Sequence, residues 1–459
     1  MLSNSLVELD RAHLIHPVAS YRAHEQRGVT VLRSGRGAYV TDTTGRELID
    51  GFAGLWCVNA GYGQQSIVEA AAEQMRRLPY ATGYFDLGSE PAIRLAARLA
   101  ELAPGDLDHV YFTLGGSDAV DSAVRFIHYY FNALGQPEKK QFITLEQGYH
   151  GSSSMGAGLT ALSAFHQGFD LPLPWQHRIP SPYPYRNPVG NVPAAIVAAS
   201  VQALRDKVAE LGQDRVAAFF CEPIQGSGGV IVPPDGWLSA MREACRELDV
   251  LFVADEVITG FGRTGPLFAC EREGVVPDLM TLAKGLTSGY LPMGAVLLGE
   301  RVYAAIADGA GTERPVGHGF TYSGHPVSAA VGLETLRLYT ETGLLENGRR
   351  MGERLMTALG ALSDHPLVGE ARGRGLLAAL ELVSDKGTKA RFDPALKLGQ
   401  RLFDRAYANG VIIRGFADGT IGFAPPLCCS AEDIDLIVGR VTRTLADLLD
   451  ESDIRAALR

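Results

Sequence analysis

Apolar positions along this chain fall into two rhythms. Between about Gly61 and Gly299, short continuous apolar runs such as Val216–Cys221 and Leu251–Ala254 alternate with stretches of helical period. Trp237, Leu238, Met241, Ala244, Cys245 and Leu248 recur as one helix face, which Asp235 is positioned to cap. Such alternation predicts a mostly parallel sheet with helices on both faces. Val29–Asp50 instead alternates residue by residue, with turns at Ser34–Gly37 and Asp42–Gly45, and predicts an antiparallel meander. Residues 1–20 read as a short helix and an arm broken at His16-Pro17.

Beyond His325 the expected elements are a helix over Val327–Tyr339, strands near Gly375–Leu382 and Val411–Arg414, and a final helix opened by Ser430-Ala-Glu-Asp433 as a capping box. Leu171–Pro193, with seven prolines, is expected to be a long irregular surface loop. The fold class is α/β, with a large domain over residues 61–324 and a smaller α+β domain built from 1–60 with 325–459.

Composition narrows the class of partner. The chain has 459 residues, and a net charge of -10 argues against nucleic acid and anionic membranes. The longest apolar candidate for a membrane span is broken at Gly299-Glu300-Arg301, and Glu8, Asp10, Arg11 and His13 leave no apolar signal-peptide core. Six cysteines lack metal-ligand spacing, so no metal site is expected and a reducing cytoplasm fits best.

Two segments carry the chemistry. Leu251–Ala254 ends in Asp255-Glu256-Val257 before the glycine-rich Gly260–Gly265, and Leu279–Ala283 ends in Lys284-Gly285. Ligands of open α/β sheets bind at such carboxyl edges. A carboxylate that keeps a pyridine nitrogen protonated and a lysine whose amine is depressed by burial suit a cofactor with a basic ring and an aldehyde, pyridoxal 5'-phosphate (PLP). Taken singly, each has a plainer reading: a turn-capping aspartate and a surface lysine at a strand end. Thr113-Leu-Gly115-Gly116-Ser117 opens a helix, where backbone N–H groups favour a phosphate. Tyr149 could stack on a flat ring and Val257 cover its other face. Gly319–His325 alone would pass for a loop.

Together, Leu55-Trp56-Cys57-Val58-Asn59, Glu222-Pro-Ile-Gln225-Gly226, Ala254–Val257, Ala283–Leu286 and Phe320–Pro326 make the chain resemble the class III aminotransferases, which are PLP enzymes of fold type I. The likeness is greatest to the amine–pyruvate group, or ω-transaminases, which includes β-alanine–pyruvate transaminase. It implies that Lys284 holds PLP covalently and shuttles a proton, and that Asp255 pairs with the ring nitrogen. Gly116, Ser117, Tyr149, Glu222 and Val257 would complete the cofactor site, with Thr321 reaching the phosphate from a second subunit.

Trp56, Leu55, Tyr149, Ser227, Arg414 and the partner-facing Phe85 would line the substrate pocket. The resemblance therefore implies a homodimer with composite sites, or a dimer of such dimers. Gly422 and Ser227 stand where the ornithine and 4-aminobutyrate branches carry an arginine and a glutamate, and the likeness to the amine–pyruvate group, which uses a mobile arginine in a segment like Val411–Arg414, implies that Arg414 recognises the carboxylate instead. Ser227, Val18 and Asp118 also depart from the residues usual in the amine–pyruvate group. The activity implied is ping-pong transfer of an amino group from an ω-amino acid or primary amine (β-alanine, a diamine or an aryl-alkyl amine) to pyruvate, giving alanine. An aminomutase or racemase on the same scaffold and a non-catalytic binding protein are the alternatives, while a hydrolase lacks its G-x-S-x-G elbow.

Overall fold

Strands buried on both faces have no polar side to present, so they read as unbroken apolar runs. In the computed structural model, which describes residues 5–459, seven strands form the central sheet, and the four at its centre, Gly294–Leu298, Leu279–Leu282, Leu251–Asp255 and Val216–Cys221, are buried throughout. Their spatial order is His109–Thr113, Gly294–Leu298, Leu279–Leu282, Leu251–Asp255, Val216–Cys221, Gln141–Leu145 and Gln176–Ile179. Gly294–Leu298 pairs antiparallel with both neighbours, and all other pairs are parallel.

Side chains alternate between two cores, as strand geometry requires. Ala218, Phe220, Leu251 and Val253 pack with Val120, Val124 and Ile127 of helix Gly116–Ala133. Phe219, Cys221, Phe252 and Ala254 pack on the other side with Leu204, Val208, Trp237 and Met241. Burying each such phenylalanine stabilises the fold by about 1.5–3 kcal/mol relative to exposure.

The meander is present as Leu32–Arg36, Tyr39–Asp42 and Glu47–Asp50, and Val411–Ile412 adds a parallel strand beside Glu47–Asp50. The two ends of the chain thus share one sheet. A second sheet joins Val368–Arg374, Leu377–Leu382, Thr420–Phe423 and Arg414–Gly415. Helix Pro326–Glu341, on the far side of the expected boundary at 325, packs on helices Gln65–Arg77 and Glu90–Leu102. The final helix, Ala431–Leu449, opens with both bonds of the capping box: Asp433 N–H donates to Ser430 Oγ, and Ser430 N–H to Asp433 Oδ2. Among the described residues no helix is long and apolar enough to cross a membrane.

Three expectations need correction. Gln176–Ile179, inside the proline-rich stretch, is the edge strand of the large sheet, a position that tolerates neighbouring prolines. Tyr183 just beyond it is buried, its hydroxyl donating to Glu381. Asp235 does not cap helix Trp237–Glu247; Gly236 occupies that position at φ +84°, and Asp235 pairs with Arg374 at 2.6 Å. Val411–Arg414 is two short strands in different sheets, separated at Ile413. A helix at Tyr21–Arg27 follows the arm, too short and polar to show a periodic face.

Candidate active site

Neighbouring parallel strands bring the two chemical residues together. Asp255 ends one strand opposite Thr281 of the next, three residues before Lys284. Lys284 turns the chain at φ +40°, into the left-handed region, and opens a short 3-10 segment to Thr287. Both side chains line one cavity at the carboxyl ends of the strands, together with Gly116, Ser117, Tyr149, His150, Glu222 and Val257. Each cofactor-binding residue expected within the chain lies on that lining.

Asp255 is 2% exposed and its carboxylate is held on both oxygens. Oδ2 accepts from His150 Nδ1 at 2.8 Å and Oδ1 from Val257 N–H at 3.1 Å. Burial opposes a charge on His150, yet the hydrogen bond and charge of Asp255 raise its pKa above the ordinary histidine value. Its Nε2 is buried without a partner. Glu222 accepts from Tyr149 N–H at 3.0 Å and Gly226 N–H at 2.9 Å, and burial pushes its carboxyl up to about 7, a rise that His150 offsets in part.

Lys284 Nζ forms no hydrogen bond or ion pair among the described residues, and desolvation lowers its pKa against the pull of Cys57, Asp255 and Glu222. An unpaired lysine amine with a lowered pKa, beside a fixed carboxylate, is a donor set that fits PLP.

The expected phosphate end is backbone. Gly115 is the N-cap of helix Gly116–Ala133, and Ser117 Oγ accepts from Ser152 N–H at 3.0 Å. A Cβ at Gly116 would lie 3.0 Å from Val257 Cγ1, narrowing the cavity between helix end and side chain. Gly151, at φ +113°, has Ser117 Cα and Oγ at 2.8 Å from where its Cβ would be, so this loop closes only with glycine. Tyr149 is oriented by Ser152 Oγ at 3.1 Å and by the Phe165 ring at 5.2 Å.

Arg414 lies across two rings, 5.2 Å from that of Trp56 and 4.7 Å from that of Phe416. Burial lowers its pKa, opposed by the nearby Tyr149. Trp56 is buried at φ +57°, whereas Leu55 is half exposed. Ser227 is buried in the loop that Arg372 grips, Nη2 to Gly229 O at 2.6 Å and Nε to Val230 O at 2.9 Å. Phe85, 86% exposed at φ +62°, and the exposed Thr321 do not line the cavity of their own chain.

Two residues escaped sequence reasoning. His150 directly follows Tyr149, but its role depends on Asp255, 105 residues away. Arg263 is fully buried and joins three loops through Asn59 Oδ1 at 2.7 Å, Pro425 O at 2.6 Å and Leu376 O at 3.3 Å. Its glycine-rich surroundings mark a tight turn and nothing more.

Family comparison agrees with this arrangement. The model of the aminotransferase class-III family matches residues 20–445, and the chain belongs to that family of aminotransferases. It is 41% identical over 431 residues to the putrescine–pyruvate aminotransferase of Pseudomonas aeruginosa, covering 94% of this chain and 93% of that one. It is 39% identical to the diaminobutyrate–2-oxoglutarate transaminase of Halomonas elongata, over 98% of this chain and 99% of the relative. Among solved structures, a thermostable (S)-enantioselective ω-transaminase from Thermomicrobium roseum superposes with a TM-score of 0.94 at 42% identity, covering 97% of this chain and 98% of that chain. The ω-transaminase of Pseudomonas jessenii in complex with PMP does so at 0.95 and 40%, with the same coverages. The fold is therefore that of the fold type I transaminases.

Proposed function

We propose that this aminotransferase uses PLP to move an amino group from a primary amine or ω-amino acid to pyruvate, releasing alanine, and that it works in the cytoplasm as a homodimer. The observation that carries the reading is the convergence of Lys284 and Asp255 on one cavity whose far end is the N-terminus of helix Gly116–Ala133. The name of the putrescine–pyruvate relative supports an amine donor and pyruvate as acceptor. An aminomutase or racemase is not favoured.

When bound, PLP supplies a cationic ring that withdraws electrons from the amine-bearing carbon. Asp255, fixed by His150 and Val257, sits ready to keep that ring protonated. Gly116 and Ser117 would bind its phosphate, Tyr149 and Val257 would hold its two faces, and Glu222 would fix the loop carrying Tyr149 and Gly226. Lys284 Nζ, its pKa lowered by desolvation, would hold the aldehyde carbon at rest and later move the proton off the donor carbon.

Arg414 would bind the acceptor carboxylate with two parallel N–H donors and turn aside for a donor lacking one. Trp56, Leu55 and Ser227 would shape the rest of the pocket. The exposure of Phe85 and Thr321 is what a role in a second subunit's site requires. The test is alanine formation from pyruvate with putrescine, β-alanine and an aryl-alkyl amine, alongside 2-oxoglutarate as competing acceptor. Stoichiometric alanine supports the reading; glutamate without alanine defeats the pyruvate assignment.

A further inference from the structure

Outside the cavity lining, the N-terminal arm folds back on itself around one carboxylate. Asp10 of helix Leu6–His13 accepts from His16 Nε2 at 2.6 Å on Oδ1, and from His24 Nε2 of helix Tyr21–Arg27 at 2.7 Å on Oδ2. The two imidazole rings lie 4.5 Å apart, tilted by 44°. The Asp10 side chain is only 9% exposed, and no lysine or arginine pairs with it among the described residues. A carboxylate this shielded is expected to have a countercharge, which the imidazoles or a bound cation would provide.

We infer that Asp10, His16 and His24 form a binding site for a divalent transition metal of the zinc class, which would lock the N-terminal arm. One carboxylate and two imidazoles are borderline donors of the kind zinc prefers. One ligand atom from each residue lies within 4.8 Å of the others. A tetrahedral ion with bonds of about 2.0–2.2 Å needs its donors roughly 3.3 Å apart, a spacing that small side-chain rotations reach. Each Nε2 would give its lone pair to the metal while its proton resides on Nδ1. The partial exposure of His16 and His24, 28% and 17%, leaves room for water as the remaining ligand.

The site would have a consequence for the arm as a whole. Pro17, Val18 and Tyr21, between His16 and His24, form one wall of a groove of about 770 Å³ whose other wall includes Ser152 and Phe165. Those two residues contact Tyr149. A metal tying Asp10 to both histidines would fix that wall from both ends. At Gly28 a Cβ would lie 3.2 Å from Val7, so the arm is already closely packed at its base.

The test uses PLP-loaded full-length protein, stripped with a chelator and titrated with zinc chloride. Bound zinc per chain and hydrogen exchange over residues 6–27 are measured for the parent, Asp10→Asn and His24→Ala. The expected result is one more zinc per chain in the parent than in either variant, with slowed exchange over 6–27 in the parent alone. Equal zinc in all three, or zinc binding without protection of 6–27, overturns the assignment. Should either variant fail to fold, X-ray absorption at the zinc edge of the parent decides. Two imidazoles and oxygen sustain the site, and sulfur ligation refutes it.

Discussion

His150 Nδ1 and Asp255 Oδ2 meet at 2.8 Å inside the core, both almost wholly shielded from water. In that setting the histidine fixes the carboxylate's orientation, so it acts on any bound ring only through Asp255.

His150→Ala should therefore weaken PLP retention without dismantling the fold. Losing a charge-assisted hydrogen bond costs about 1.5–3 kcal/mol, which is roughly 10- to 100-fold in affinity. Titration of the cofactor-free variant with PLP, followed by fluorescence, checks this. An affinity equal to the parent's would remove His150 from the site's machinery.

Glu222 makes stability depend on pH. Its folded pKa, about 7, lies above the unfolded value near 4.5, so between these values the folded state binds the extra proton. Its contribution is fully present below the unfolded pKa and is lost as pH rises through the folded one, by about 3 kcal/mol. Denaturant unfolding of cofactor-free protein at pH 5 and pH 8 should show a larger loss for the parent than for Glu222→Gln. Equal losses would contradict the assignment.

Arg414→Ala separates the two half-reactions. Its guanidinium lies on Trp56 and Phe416, free to present both N–H donors to a carboxylate. The variant should raise KM for pyruvate by about 10- to 100-fold, the loss of roughly 1.5–3 kcal/mol, and leave KM for putrescine nearly unchanged. A parallel rise in both would mean that the side chain only supports the pocket wall.

Much of this fold is legible in the chain because its determinants are local. Val216–Cys221 and Leu251–Asp255 read as strands since both faces are buried, and Ser430-Ala-Glu-Asp433 specifies its own cap. Asp255 and Lys284 stand out because each is a charge ending an apolar run. What escapes is long-range. The edge strand Gln176–Ile179 is stabilised by pairing with Gln141–Leu145, which its prolines conceal. Asp235 has cap chemistry, but Arg374, from a hairpin 139 residues later, competes for it. The strands at Val411–Ile412 and Arg414–Gly415 belong to different sheets because Glu47–Asp50 and Thr420–Phe423 pull them apart.

The capping box at Ser430 offers a stability test away from the cavity. Ser430→Ala leaves the Asp433 N–H without its side-chain acceptor, while the reciprocal bond from the residue-430 backbone N–H to the Asp433 carboxylate is kept. The expected loss is about 0.5–2 kcal/mol, seen as a lower urea midpoint with an unchanged slope. An unchanged midpoint would show that the rest of the helix's packing makes the cap redundant.

Borohydride reduction of the purified, PLP-loaded protein, followed by peptide mass spectrometry, probes the central claim most directly. The account predicts a phosphopyridoxyl group on the peptide containing Lys284, and none on any peptide after Lys284→Met. Labelling at a different lysine, or an unlabelled Lys284 in active protein, would contradict it.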